Sequence, residues 1–182
     1  AALAARTPWV ADEPLRKRLD QALKEESDPT AARARVIRIA TEVHEALTPV
    51  AACRQGCSHC CQQGLMIFEH EAVRLAEVSG REWVRQPWRR QQEVDIDIDS
   101  SIGQPCPFLA GESCSVYEHR PLWCRLRHSL SEDPNDCSLE GQTGGEFATL
   151  PVEAAFIDPY VELSYRMSGV EPVGSIHRYF PK

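Results

Sequence analysis

CRQGCSHCC, residues 53–61, places four cysteines within nine positions: Cys53, Cys57, Cys60 and Cys61. Packing alone does not call for thiols this dense. Their reading decides whether the chain is a disulfide-stapled scaffold or a domain built around a metal. The 182-residue sequence has eight cysteines in all, the others being Cys106, Cys114, Cys124 and Cys137. An even count would permit four disulfides in a secreted protein. Disulfide scaffolds, however, are usually shorter and poorer in helix-forming sequence. The opening AALAARTPWV is Ala-rich and has no basic stretch followed by an apolar one, so it does not read as a signal peptide. Reduced thiols in the cytoplasm are therefore expected, and clustered cytoplasmic thiols bind metal or react.

The second half of the constellation is CPFLAGESCSVYEHRPLWCR, residues 106–125, with Cys106, Cys114 and Cys124. Two loops, each rich in thiols and separated by one or two helices, can assemble one site from two chain segments. Each thiolate is a strong ligand for zinc and for the iron of iron–sulfur clusters. Cys60 and Cys61 are adjacent, and neighbouring side chains on an extended backbone point in opposite directions. The pair should therefore seldom share one ion. Either one of them is a small buried bystander or the site holds more than one metal. The expected ligands are Cys53, Cys57, Cys60, Cys106, Cys114 and Cys124, with Cys61 on a second metal or a cluster edge. Cys137, isolated in DPNDCSLEG, is left open between ligand and free thiol.

Arg120, Arg125 and Arg127 surround Cys124 with no acid between them. Nearby cations favour the thiolate state. Arg120 and Arg125 are the expected cofactor-binding partners, since a guanidinium fork can bond sulfur or backbone carbonyls. The alternative is a solvated basic turn. Tyr117, three residues before Arg120, suits a helical turn packed over the site or a core tyrosine. His59 lies inside the first loop, where seven cysteines leave little need for it. His119 and His128 flank the second motif and read as surface residues, with a proton carrier near a reactive centre as the alternative, while His44 and His70 read as packed or solvated on helices. The sequence offers no Ser-His-Asp order, no phosphate-binding glycine loop and no paired-carboxylate signal.

Working outward, Leu15, Leu19 and Leu23 give helical spacing over residues 9–26. In SDPT, Asp28 and Pro29 suit the cap and first position of a helix running to about Leu47, with Ala32, Val36, Ala40, Val43 and Leu47 on one stripe. Leu65 to Phe68 could be a short buried extended segment. Glu69 to Val78 reads as a helix closed near Gly80. A further helical stretch is expected over Glu82 to Glu93, broken or kinked at Pro87. DIDIDSS, 95–101, reads as a solvated linker in preference to an edge strand. Residues 103–145 should be mostly irregular, and a last helix is expected around Pro159 to Met167, followed by a polar tail. The net charge of −7 argues against nucleic acid as a partner. No apolar run approaches the roughly 18 residues that a membrane span needs.

One look-alike is set aside. Cys53-x3-Cys57-x2-Cys60 has the spacing of the radical S-adenosylmethionine cluster loop, and GGE occurs at Gly144 to Glu146. That fold wraps its cofactor in repeated strand–helix units, and no such alternation is present. The spacing shows that three such cysteines can grip one cluster. CRQGCSHCC followed by CPFL…CSVYEHRPLWCR resembles the CxxCxxCC cysteine-cluster proteins, described as zinc- or iron-chelating domains. Flagellin lysine N-methylases carry a similar cluster. The resemblance covers roughly Cys53 to Arg125, with both motifs in the right order. It departs at the first gap, which holds three residues where the family's name has two. The resemblance implies a bound metal or iron–sulfur cluster and fixes no reaction. The methylases are much longer, so methyl transfer is not implied.

The expectation is a mainly α-helical domain with irregular cysteine-rich loops organised around a metal centre. Residues 1–182 would form one domain: a helical part over 1–50, a metal-binding core over 51–140, and a helix and tail over 141–182. The cofactor would be an iron–sulfur cluster, or zinc or iron ions, held in the cytoplasm. Two other uses remain open: a structural zinc module that binds a protein partner, and a metal-dependent redox or group-transfer enzyme.

Overall fold

The computed structural model describes residues 10, 12–54, 56–131, 133–144, 155–156, 159–161, 163 and 171–182. It is mainly helical. Helix α1 spans Asp12–Glu25 and α2 spans Pro29–Leu47. Asp28 caps α2 by accepting from the amides of Thr30 (3.4 Å) and Ala31 (3.1 Å), and Pro29 occupies the first turn, where no amide is needed. The expected stripes meet: Leu15, Leu19 and Leu23 are buried, as are Ala32, Val36, Ala40, Val43 and Leu47. An Arg18–Glu42 ion pair ties the two helices at their edge.

After a 3-10 turn at Thr48–Val50, the chain enters the first cysteine loop. Strand β1, Met66–Phe68, follows, and α3, Glu69–Ser79, closes on Gly80 in the left-handed conformation (φ 69°). These match the sequence reading. Residues 81–90 do not: they form no helix, and α4 is Gln91–Ser100, running through the acid–Ile repeat that reads as a linker. The Arg90 amide donates to Glu93 Oε2 (2.9 Å) and starts the helix just past Pro87. Asp97 is buried by ion pairs to Arg89 and Arg178, while Ile96 stays 66% exposed. Guanidinium partners from outside the helix thus override the alternating pattern.

Within 103–145 the described residues carry a hairpin of two-residue strands, β2 Leu109–Ala110 and β3 Ser113–Cys114. They also carry two short helices, α5 Leu122–Leu126 and α6 Leu139–Gly144. Near the C-terminus, Ala155, Phe156, Pro159, Tyr160, Val161 and Leu163 are helical, the last four within the range where a helix is expected. Residues 164–167 lie outside the described residues. The expected polar tail is instead part of the core. Strand β4, Val173–Ser175, pairs antiparallel with β1 (Ile67 opposite Gly174), and helix α7, Ile176–Tyr179, follows. Ile176, Tyr179 and Phe180 are buried, and the Phe180 ring meets Phe108 edge-on at 4.7 Å between centroids. The core runs without a break from the α1–α2 hairpin through α5 to the strand pair.

Gly64 ends the first cysteine loop at φ +68°, and a Cβ there would sit 2.7 Å from the Ile98 carbonyl oxygen of α4. Both the backbone conformation and the close approach demand glycine. Gly64→Ala is expected to cost about 2–4 kcal/mol of unfolding free energy. Urea titration of the purified variant measures it, and a cost under about 1 kcal/mol would show that α4 yields at this point.

Candidate metal centre

Helix α2 fixes the entry to the first loop and packs against α5, which carries Cys124. The loop is held by its own turns: the Cys57 amide donates to the Arg54 carbonyl (3.0 Å) and the Cys61 amide to that of Ser58 (2.9 Å). Two backbone bonds then clamp the second cysteine segment onto the first. The Cys106 amide donates to the Cys61 carbonyl and the Gly103 amide to the Gln62 carbonyl, each at 2.7 Å. The β2–β3 hairpin sets Cys114 opposite Leu109. Behind Cys53, the Ser129 amide donates to its Sγ at 3.2 Å.

All seven cysteines singled out from sequence, Cys53, Cys57, Cys60, Cys61, Cys106, Cys114 and Cys124, line one cavity of about 80 Å³. A single water needs only roughly 10–15 Å³ on the same measure. None of the eight cysteines forms a disulfide. Cys60 and Cys61 both reach the cavity because they sit in a 3-10 turn, His59–Gln62, where successive side chains are not opposed as on an extended strand. The thiols surround a volume rather than a point. Among the described residues, no three His, Cys, Asp or Glu side chains are grouped so as to hold a single ion.

Cys60 is the hub. It lines the cavity beside Cys61, and ionising it would disfavour the thiolates of Cys53, Cys106, Cys114, Cys124 and Cys137. The neighbouring Cys61 thiol and then desolvation hold the Cys60 thiol well above its usual range, although the side chain is partly exposed. Burial pushes Cys106 up to about 11, raises Cys53 and Cys114, and raises Cys124 strongly. Arg54, Arg120 and Arg127 line the same cavity, and the last two oppose this. Arg127 favours the thiolates of Cys60 and Cys124, and Arg120 that of Cys114. The Arg120 guanidinium lies 3.5 Å over the Tyr117 ring. Arg125, the other arginine singled out from sequence, does not line the cavity. It donates to the carbonyls of Arg120 (2.9 Å) and Glu118 (2.5 Å) and to Thr41 Oγ1 (3.1 Å), bracing the turn that aims Arg120.

These raised thiols set a pH dependence for the metal-free protein. An unfolded cysteine titrates near about 8.5. The folded thiols titrate higher, so their contribution to stability is whole below that value and is lost as pH rises towards about 11, where Cys106 ionises. The metal-free protein is expected to lose several kcal/mol between about pH 8.5 and 11. Denaturant midpoints measured across that range test this, and a flat profile would contradict the burial of the thiols.

Cys137 is buried outside the cavity lining, and desolvation pushes its thiol up to about 11 although Ser129 beside it works the other way. His59 also lies off the cavity, and His119 is exposed, as expected. His70 is held by Glu171 and Tyr160. His128 is a correction: it is 4% exposed rather than on the surface. Its Nε2 lies 2.8 Å from Nδ1 of His44, which lines the cavity. No local signal marks this pair, because the partners lie far apart in sequence and meet only through the packing of α2 on α5.

The model of a family described as "CxxCxxCC: Putative zinc- or iron-chelating domain" matches residues 52–143, a span holding all eight cysteines. No curated protein and no solved structure matches the chain.

Proposed function

Because the chain belongs to the CxxCxxCC family of zinc- or iron-chelating domains, we propose that its clustered thiols hold an iron–sulfur cluster or a multinuclear thiolate metal site. Metal binding is the family's common ground, and the residues present suit it. Thiolate donors match both zinc and cluster iron. The observation that carries the finer reading is the enclosure of one cavity, much larger than a single ion needs, by seven thiols. A single tetrahedral ion would use four of them. The ligands are Cys53, Cys57, Cys60, Cys106, Cys114 and Cys124, with Cys61 on a second metal or a cluster edge. Arg120 offsets the charge of the bound thiolates, and Arg125 acts on the site through Arg120. Residues 51–140 form the metal-binding core, and the free thiols suit a reducing cytoplasm. Among the described residues, no helix is long and apolar enough to cross a membrane.

Metal and acid-labile sulfide analysis, on protein purified without air or chelator, tests the reading. Iron with sulfide and broad visible absorbance is the expected result, and redox or group-transfer partners would then be sought. Zinc at a single equivalent, with neither colour nor sulfide, would overturn the multinuclear reading in favour of a structural zinc module that docks a protein partner.

A further inference from the structure

Two histidines line the thiol cavity, His44 and His177. They differ in what holds the ring. No ring hydrogen bond is made by His177 among the described residues, whereas His44 stands at the end of an ordered chain. The first link is the Leu126 carbonyl, 2.9 Å from His128 Nδ1. A carbonyl only accepts, so His128 carries its proton on Nδ1 and presents a lone pair at Nε2. The second link is the 2.8 Å contact between His128 Nε2 and His44 Nδ1. A lone pair on one side requires the proton on the other, so His44 carries its proton on Nδ1. Its Nε2 is then a bare lone pair. One buried carbonyl thus fixes the tautomers of two rings and leaves a basic nitrogen on the side chain that lines the cavity.

A histidine that ligates a metal ordinarily donates its other ring N–H to a fixed acceptor, which sets the tautomer, aims the ring and raises its basicity. His44 is arranged in that way, on a long helix packed against the helix that carries Cys124. The neighbour at Nε2 is the Tyr117 hydroxyl at 3.4 Å, at the outer limit of a hydrogen bond and so readily exchanged. Burial and the charge of Arg120 hold the His44 pKa down to about 4, which keeps the ring neutral, as a ligand must be. At its inner end the chain stops at the carbonyl of buried Leu126, an acceptor that fixes the proton positions and so orients the nitrogen.

We propose that His44 Nε2 is a nitrogen ligand of the metal centre, held in its binding tautomer by His128, so that the donor set mixes imidazole with thiolates. The inference rests on the thiol reading above, and the experiment separates the two. Metal-free protein is titrated with Co²⁺ without air. Thiolate-to-cobalt charge transfer reports the cysteines, and the ligand-field bands report the mixture of nitrogen and sulfur. Pulsed EPR of the loaded wild type, with and without ¹⁵N-histidine, reports a bound imidazole directly. An isotope-dependent coupling is expected in the wild type and should vanish in His44→Ala. His44→Ala should bind Co²⁺ at least about tenfold more weakly, with shifted ligand-field bands and charge transfer retained. His44→Cys should recover affinity with stronger charge transfer. Charge transfer without any histidine coupling in the wild type would overturn the inference and leave the thiol site standing, even if the variants failed to fold. Unchanged bands and coupling in a folded His44→Ala would do the same. A wild type with no charge transfer would overturn the thiol reading and this inference with it.

Discussion

Cys60→Ser is expected to abolish metal binding, with the metal content of the purified variant falling to near zero. The reason is position. Cys60 lines one cavity with the three cysteines of the second segment, Cys106, Cys114 and Cys124, and with Cys53 in its own loop. A serine hydroxyl is a poor substitute, because it stays protonated where a bound thiolate must not. The stability effect should be correspondingly large. The second cysteine segment has little regular structure before α5, so part of its order must come from what the thiols hold. Metal binding in small structural sites contributes on the order of 10 kcal/mol to folding. Cys60→Ser should therefore unfold much like the metal-free wild type, and chelator should no longer affect it. Cys57→Ser should behave similarly. Cys137→Ser is the control: its thiol lies outside the cavity lining, and its loss should cost about 1 kcal/mol and no metal. Elemental analysis and thermal unfolding, with and without chelator, check all three. Full metal content in Cys60→Ser would place the ligands elsewhere, and loss of a metal equivalent in Cys137→Ser would make it one of them.

The seven cavity thiols could be found from sequence because soft donors at short spacing mean little else, and because α2 and α3 obey simple periodicity and capping. What escaped was decided at a distance. Asp97 is acceptable inside α4 only because Arg89 and Arg178 reach it, and Arg178 comes from the far end of the chain. The stretch 173–175 is too short and too glycine-rich to announce a strand, and it becomes one by pairing with β1. The adjacency of Cys60 and Cys61 was read against an extended backbone, and a 3-10 turn changes the angle between them. His44 and His128 each look ordinary alone. Their arrangement exists only once α5 is laid on α2, and no residue between them records it.

The same distance problem conceals a residue outside the metal site on which the fold depends. Glu71 is 6% exposed, and its carboxylate serves three partners. Oε2 accepts from the Phe68 amide at 3.0 Å, where β1 turns into α3. Oε1 accepts from the Leu122 amide at 2.8 Å, at the start of α5, and from the Tyr160 hydroxyl at 3.4 Å. One side chain therefore joins the strand pair, the Cys124 helix and the C-terminal segment. Glu71→Ala would leave two buried amides unserved, at about 1–3 kcal/mol each, and the expected loss is about 3–5 kcal/mol. Glu71→Gln is the sharper test. It matches the shape, yet it has only one acceptor oxygen, and its NH₂ group would face an amide donor. A loss of about 2–4 kcal/mol is expected, close to that of alanine rather than neutral. The effect should spread to the metal site, because α5 is five residues long and Cys124 lies two positions past the anchored amide. Both variants should therefore bind metal more weakly although no ligand is altered. Urea unfolding read beside metal titration decides it. If Glu71→Gln proved as stable as the wild type, the carboxylate would not be serving both amides at once. A loss of stability with unchanged metal affinity would show that Cys124 is held by its cavity neighbours and not by the start of its helix.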